Sequence, residues 1–273
     1  MESRMAKALG LKYNPVAVVL ADEKPGNALQ FKKGKWGCVM FMFANAARGK
    51  TAAFDAETYG CWGGGVGLGF GNAYEQFPGG VGCFTRFLSS GNEQWEQGRQ
   101  VAEGLAKAAG KEFTDDFLKG ERYVKGPELV AQWLEDLPIM EISSPYVIFE
   151  PLSQIDPEVR TPKTVVLTAD ADQLSALVIL ANYARKGMEN VIIPWAAGCQ
   201  TIGIIPWREG ESQHPRAVVG LTDISARKNV RKLLGSEYLS FAMPWKMFLE
   251  MEDQVEGGFL QRPTWLSLRE GKS

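Results

Sequence analysis

Histidine is almost missing from this chain, with one, His214, among 273 residues. That scarcity excludes any histidine-rich metal site, and a catalytic triad or histidine general base would have to use His214. Set between Gln213 and Pro215 in a polar stretch, His214 reads as an exposed loop residue. An excess of one charge is lacking too. The 30 basic and 32 acidic side chains leave a net charge of -2, so there is no electrostatic case for nucleic acid or a membrane surface. Nothing approaches the roughly 18 uninterrupted apolar residues of a membrane helix. The opening MESRMAKALGLKYNPVAVVL has no apolar stretch ahead of a small-residue cleavage site, which predicts a cytoplasmic protein. With 45% hydrophobic and 23% charged residues, the composition is globular and ample for a sizeable core.

What is present is four cysteines: Cys38, Cys61, Cys83 and Cys199. Without an export signal a disulfide framework is not expected, and no pair has the C-x-x-C spacing of zinc ribbons or thioredoxin-like sites. Free cysteines often serve simply as small buried hydrophobes. Each of these four, however, directly follows a glycine: Gly37, Gly60, Gly82 and Gly198. Glycine there permits unusual backbone conformations and the close approach of a ligand.

Self-similarity orders the chain. VVLAD at Val18–Asp22, FANAARGK at Phe43–Lys50 and YGC at Tyr59–Cys61 are echoed by VVLTAD at Val165–Asp170, LANYARKG at Leu180–Gly187 and AGC at Ala197–Cys199. ELVAQWLED after Pro127 and WKMFLEMED after Pro244 end alike. The expected fold is therefore α/β (or α+β), two similar halves from an internal duplication packed about a pseudo-twofold axis. The first half would span 1–150, with a Gly-rich loop at 61–83, and the second 151–273. Valine-rich runs at Pro15–Leu20 and Thr164–Thr168 predict strands, as do Thr51–Phe54, Tyr146–Pro151, Asn190–Pro194 and Arg216–Leu221. Helical spacing marks Cys38–Arg48, Glu93–Ala109, Pro127–Leu137 and Asp172–Lys186, with Asp170 or Asp172 as a cap. Gln261–Ser273 reads as a short tail.

Two site hypotheses follow. If the halves pack symmetrically, Cys61 and Cys199 become equivalent, and Cys38 and Cys83 could join them at one side of the cleft. Four thiolates are the ligand set of an iron–sulfur cluster or a structural zinc; a cluster is favoured because zinc sites usually draw their ligands in close pairs. A cluster on three of the cysteines is a variant, and structural or redox-sensitive free thiols remain the plain alternative. The expected role is redox-related metal binding. The competing reading is a metal-free protein or enzyme for a small anionic metabolite, using Gly63, Gly64 and Gly65 of CWGGGVGLGFG with Arg227 from the basic run Arg227, Lys228, Arg231 and Lys232. The glycines do not form a dinucleotide or Walker motif, and a solvated helix face also explains the basic run. Expected partners are a redox protein or a small-molecule ligand, with no nucleic acid and no membrane; homo-oligomerisation is left open.

The blocks GCVMFMFANAARGKTAAFDAETYGCWGGG, FLSSG, ERYVKGPELV, DADQLSALVILANYARKG, AAGCQTI, LTDISARK and MPWKMFLEM together resemble the domain-of-unknown-function family 169, also called ArCR-like, of archaea and anaerobic bacteria. The resemblance runs over nearly the whole chain. It implies that Cys38, Cys61 and Cys199 fall in motif blocks, and it brings no activity, since the family is uncharacterised.

Overall fold

Short valine- and alanine-rich segments bury well on both sides, and here they line up as the middle layer of an α/β structure. The computed structural model describes residues 1–108 and 110–270. Its strands are β1 (Val16–Ala21), β2 (Ala52–Phe54), β3 (Tyr146–Pro151), β4 (Thr164–Ala169), β5 (Val191–Ile192), β6 (Ala217–Gly220) and β7 (Leu239–Pro244). They form one seven-stranded sheet in the order β2-β3-β1-β4-β7-β6-β5. All pairings are antiparallel except β5 with β6.

The helices in chain order are α1 (Arg4–Leu9), α2 (Val39–Ala47), α3 (Trp62–Gly67), α4 (Gly80–Phe87), α5 (Glu96–Ala108), α6 (Lys111–Lys119) and α7 (Pro127–Asp136). After them come α8 (Ala171–Asn182), α9 (Gly198–Ile202), α10 (Ile204–Glu211), α11 (Ile224–Leu234), α12 (Trp245–Asp253) and α13 (Pro263–Glu270). Asp170 caps α8, accepting from the N–H groups of Asp172 and Gln173 while Gln173 reaches back to the Asp170 N–H; this capping box stops the helix from fraying into the strand before it. Ala109, expected at the end of what is α5, and residues 271–273 of the expected tail lie outside the described residues.

Packing divides the chain into two compact units, Met1–Phe70 with Met140–Ser273, and Gly71–Ile139. The second is inserted between α3 and β3, so this division does not follow a boundary at residue 150. In the first unit, odd positions of β1, β4, β6 and β7 (Ala17, Val19, Val165, Leu167, Val219, Phe241) share a core with α1, α8 and α12 through Met5, Leu177, Leu180, Phe248 and Met251. The alternate positions face the other way: Phe54 of β2 packs on Phe149 of β3 with ring centroids 4.9 Å apart, and Gly220 lies against Thr201 of α9. Because both faces are covered, the strands read as nearly continuous apolar runs without alternation.

The sheet carries a local two-fold centred on the Ala17↔Val165 pair. It exchanges the β1–β3 pair Val16↔Pro151 with the β4–β7 pair Thr164↔Pro244, and Ala52↔Phe149 with Val218↔Ala242. Pro244 therefore takes the place of Pro151, and not of Pro127, which opens α7 in the other unit. The symmetry stops at the sheet. A two-fold normal to an antiparallel sheet keeps each face, whereas α8 packs into the core on one face and the buried residues of α2, its match in sequence, take no part in that core.

The second unit is helical and aromatic. Phe77 contacts Phe84, Phe87 and Phe117, with ring centroids 5.3, 5.3 and 6.1 Å away. Fully buried Asn92 donates to the carbonyls of Cys83 at 3.1 Å and Phe117 at 3.0 Å. The Gly-rich stretch expected as a loop over 61–83 is largely helical: α3, a 3-10 turn at Ala73–Gln76 and the first half of α4.

Candidate functional site

Three cysteines far apart in sequence come together in the first unit, each at the start of a helix. Cys38 occupies the cap position of α2, Cys61 that of α3, and Cys199 is the second residue of α9. Cys38 and Cys61 are half-buried and Cys199 is buried. Their nearness follows from close backbone packing at glycine. A Cβ on Gly60 would fall 2.4 Å from the Gly37 carbonyl oxygen, and the Phe31 ring fills the Cβ position of both glycines. Gly60 also has φ +85°, a conformation that side chains other than glycine's resist. The glycine before each of these two cysteines thus admits the protein's own Phe31, and the chains leading to Cys38 and Cys61 meet around that ring.

Helix α3 is seated on α9 by the same means. A Cβ on Gly67 would stand 2.9 Å from Cys199 Sγ, and one on Gly203 only 1.9 Å from the Gly67 carbonyl oxygen. One peptide group stands between two of the sulfurs. The Gly63 carbonyl accepts the Cys199 thiol at 3.0 Å, and the Gly64 N–H of that same peptide donates to Cys61 Sγ at 3.3 Å. A trans peptide points its C=O and N–H in opposite directions, so the two sulfurs flank it and do not touch.

All three thiols are held protonated. Burial pushes the Cys61 thiol up to about 12, with the charges of Cys38 and Asp223 adding and the N–H groups of Gly64 and Gly63 opposing. Burial also raises Cys199 well above its ordinary value, reinforced by Cys61, Cys38 and Asp223. Cys38 is raised by burial against the N–H groups of Phe41 and Met40, with a smaller push from Asp223. Ionising Cys38 therefore makes Cys61 harder to ionise, and charge on either makes Cys199 harder still. A bound cationic centre reverses that balance, since thiolates are its ligands.

The donor chemistry suits a soft metal or an iron–sulfur cluster: three sulfurs, with His214 in an exposed turn elsewhere and the Asp223 carboxylate occupied by N–H donors. The spacing does not suit a single ion. Among the described residues no three His, Cys, Asp or Glu side chains stand close enough to hold one, and the Gly63–Gly64 peptide is the reason for the Cys61–Cys199 pair. A cluster accepts more widely spaced thiolates, because iron and sulfide lie between them.

The other expected site residues lie elsewhere or are engaged. Cys83 belongs to the second unit, where it is buried and its sulfur lies 2.3 Å from where a Gly79 Cβ would be. Gly63, Gly64 and Gly65 sit within α3, and Gly64 and Gly65 are buried. The space for a Cβ at Gly64 is taken by the Tyr59 carbonyl and Val39. Arg227 gives its guanidinium to the backbone carbonyls of Leu221, Ser236 and Tyr238, stapling the start of α11 to the chain entering β7. Lys228, Arg231 and Lys232 follow on the same helix.

Asp223 is the residue that sequence reasoning passed over. It caps α11, and its charge reaches all three thiols. An Asp-x-Ser-Ala run directly after a strand is an N-cap signature, but its link to a cysteine 24 positions earlier has no trace in the sequence.

The sequence profile of DUF169, described as Uncharacterised ArCR, matches residues 4–254. No curated protein and no solved structure matches the chain. No helix among the described residues is long and apolar enough to cross a membrane.

Proposed function

The chain belongs to the DUF169 family, and for this member we propose a redox-related metal site in which Cys38, Cys61 and Cys199 are thiolate ligands of an iron–sulfur cluster. The observation that carries this reading is the convergence of three cysteines from three separate helices in one unit, with a single peptide between Cys61 and Cys199 and the chains leading to Cys38 and Cys61 in contact. Buried free thiols without a common role have no need to share a site. A cluster would supply one-electron chemistry. The protein's own part is to bring the sulfurs in from α2, α3 and α9, to shield them by burial, and to offer N–H groups such as that of Gly64 to a bound sulfur.

For Cys61 and Cys199 to hold one cluster, the Gly63–Gly64 peptide between them would have to move aside. Helix α3 is suited to that, because Gly63, Gly64 and Gly65 in succession give it little intrinsic stability, each costing about 1 kcal/mol relative to alanine.

Anaerobic purification followed by iron and acid-labile sulfide analysis tests the reading. We expect a brown protein with broad visible absorption, and loss of iron and sulfide together in Cys38→Ser, Cys61→Ser and Cys199→Ser. A colourless protein without iron after anaerobic reconstitution with ferrous iron and sulfide would sink it.

A further inference from the structure

At the start of helix α9 Gln200 reaches back to the Ala197 N–H at 2.9 Å, but nothing local accepts the Gly198 N–H. Ala197 occupies its cap position and has no side-chain oxygen to accept the first free N–H groups. The acceptor comes from a different helix. Asp223 Oδ1 takes the N–H groups of Ser225 at 2.9 Å and Ala226 at 3.2 Å, together with the Ser225 hydroxyl at 2.7 Å, and so caps α11. Its Oδ2 is left to accept the Gly198 N–H at 3.1 Å. One carboxylate thus serves two helix starts.

Gly198 is the residue before Cys199, and its surroundings leave it little freedom. A Cβ there would lie 2.8 Å from Met40 Cγ of α2 and 3.1 Å from Ala226 Cβ of α11. The Gly198 N–H is therefore the tie between the Cys199 helix and α11, distinct from the Cys199 thiol contact with α3. We infer that Asp223 is a positioning residue of the thiol site, holding the first turn of α9, and with it Cys199, in place by accepting the Gly198 N–H. This deepens the reading of Cys199 as a member of that site and rests on it.

Asp223→Asn separates the two roles of the carboxylate. Asparagine caps helices as well as aspartate does, and its single oxygen is best used on the three donors of α11. The amide NH2 then faces the Gly198 N–H, donor against donor, so α11 stays capped while α9 loses its tie.

The experiment is iodoacetamide labelling of the metal-free full-length protein at one fixed pH, with the rate at each cysteine read by mass spectrometry. We expect Cys199 to label about tenfold faster in Asp223→Asn, the change that one unpaired buried N–H represents. Cys38 and Cys61 should rise by clearly less, and Cys83, in the separately packed unit, should not change. Asp223→Ala should match that Cys199 rate and additionally lower the thermal midpoint by uncapping α11. Equal acceleration of Cys38, Cys61 and Cys199 would assign the effect to the lost charge and overturn the inference; an unchanged Cys199 rate would overturn it as well. Because the label is read without metal, a protein that never takes up iron leaves this test intact.

Discussion

Gly67→Ala and Gly104→Ala are the same chemical change inside two helices, and the structure gives them opposite signs. Alanine in a helix interior is favoured over glycine by about 0.8–1.0 kcal/mol. At Gly104 in α5 an added Cβ meets nothing within 4 Å, so about 0.5–1 kcal/mol of stabilisation should survive. At Gly67 the new Cβ would stand 2.8 Å from the Cys199 carbonyl carbon, 2.9 Å from Cys199 Sγ and 2.9 Å from the Gln200 nitrogen. Two of those three atoms are backbone of α9 and cannot swing aside, so α3 must back away. Overpacking costs about 1–3 kcal/mol; against backbone atoms the upper half of that range applies, about 2–3 kcal/mol, and subtracting the helix gain leaves a net loss of about 1–2 kcal/mol. For a unit of this size that is a midpoint lower by about 2–8 °C. Thermal unfolding followed by circular dichroism measures it, with labelling of Cys199 and Cys83 as local reporters of the two units. A Gly67→Ala protein as stable as the parent, with Cys199 no easier to label, would refute the close-packing account of the α3–α9 contact.

Three further outcomes are expected. Glu150 is 4% exposed and its carboxylate lies 2.9 Å from Arg160 Nη1; burial pushes the carboxyl up while Arg160 opposes the shift. A carboxyl raised in the folded state favours folding below its unfolded pKa, and that contribution is lost as the pH rises through the folded value. Arg160→Met should therefore cost about 3 kcal/mol near neutrality, the low end for a buried pair because Arg160 is half-exposed, and much less below about pH 4. Urea unfolding at both pH values checks this, and equal losses would contradict it. Glu252, 2% exposed on α12, accepts the N–H groups of Arg4 at 2.8 Å and Met5 at 3.2 Å as well as the Ser3 hydroxyl. Its replacement by alanine should cost about 1.5–3 kcal/mol and speed amide exchange in α1 before other helices. Cys83→Ala should leave iron and sulfide content unchanged, and a loss of either on elemental analysis would bring that thiol into the site.

Much of the framework was legible because its signals are local. Valine-rich runs marked β1 and β4, and the mainly apolar run Tyr146–Pro151 marked β3, almost to the residue, while Pro127 and Asp170 marked the starts of α7 and α8 through the conformations and caps those residues favour. The Gly-rich stretch was misleading for a physical reason. Glycine lowers helix propensity, so CWGGGVG reads as a loop, yet its lack of side chains is what lets α3 lie against α9 closely enough to recover that cost through packing. The repeat was half informative. Its strands obey a two-fold in register, but its helices lie on opposite faces, and periodicity along a chain carries no record of which face a helix will cover.

The same division runs through the site. By itself the sequence determined the chemistry on offer: four thiols, one remote histidine, and a glycine before every cysteine. Only the tertiary structure decided the grouping. It placed Cys38, Cys61 and Cys199 in one unit and Cys83 in the other, filled the glycine gaps with Phe31 and Met40, and brought in Asp223 from beyond β6. Local signals act over a few residues, through backbone preference and caps. A shared thiol site depends on which helices the sheet carries side by side, and that is settled by burying both faces of the sheet at once.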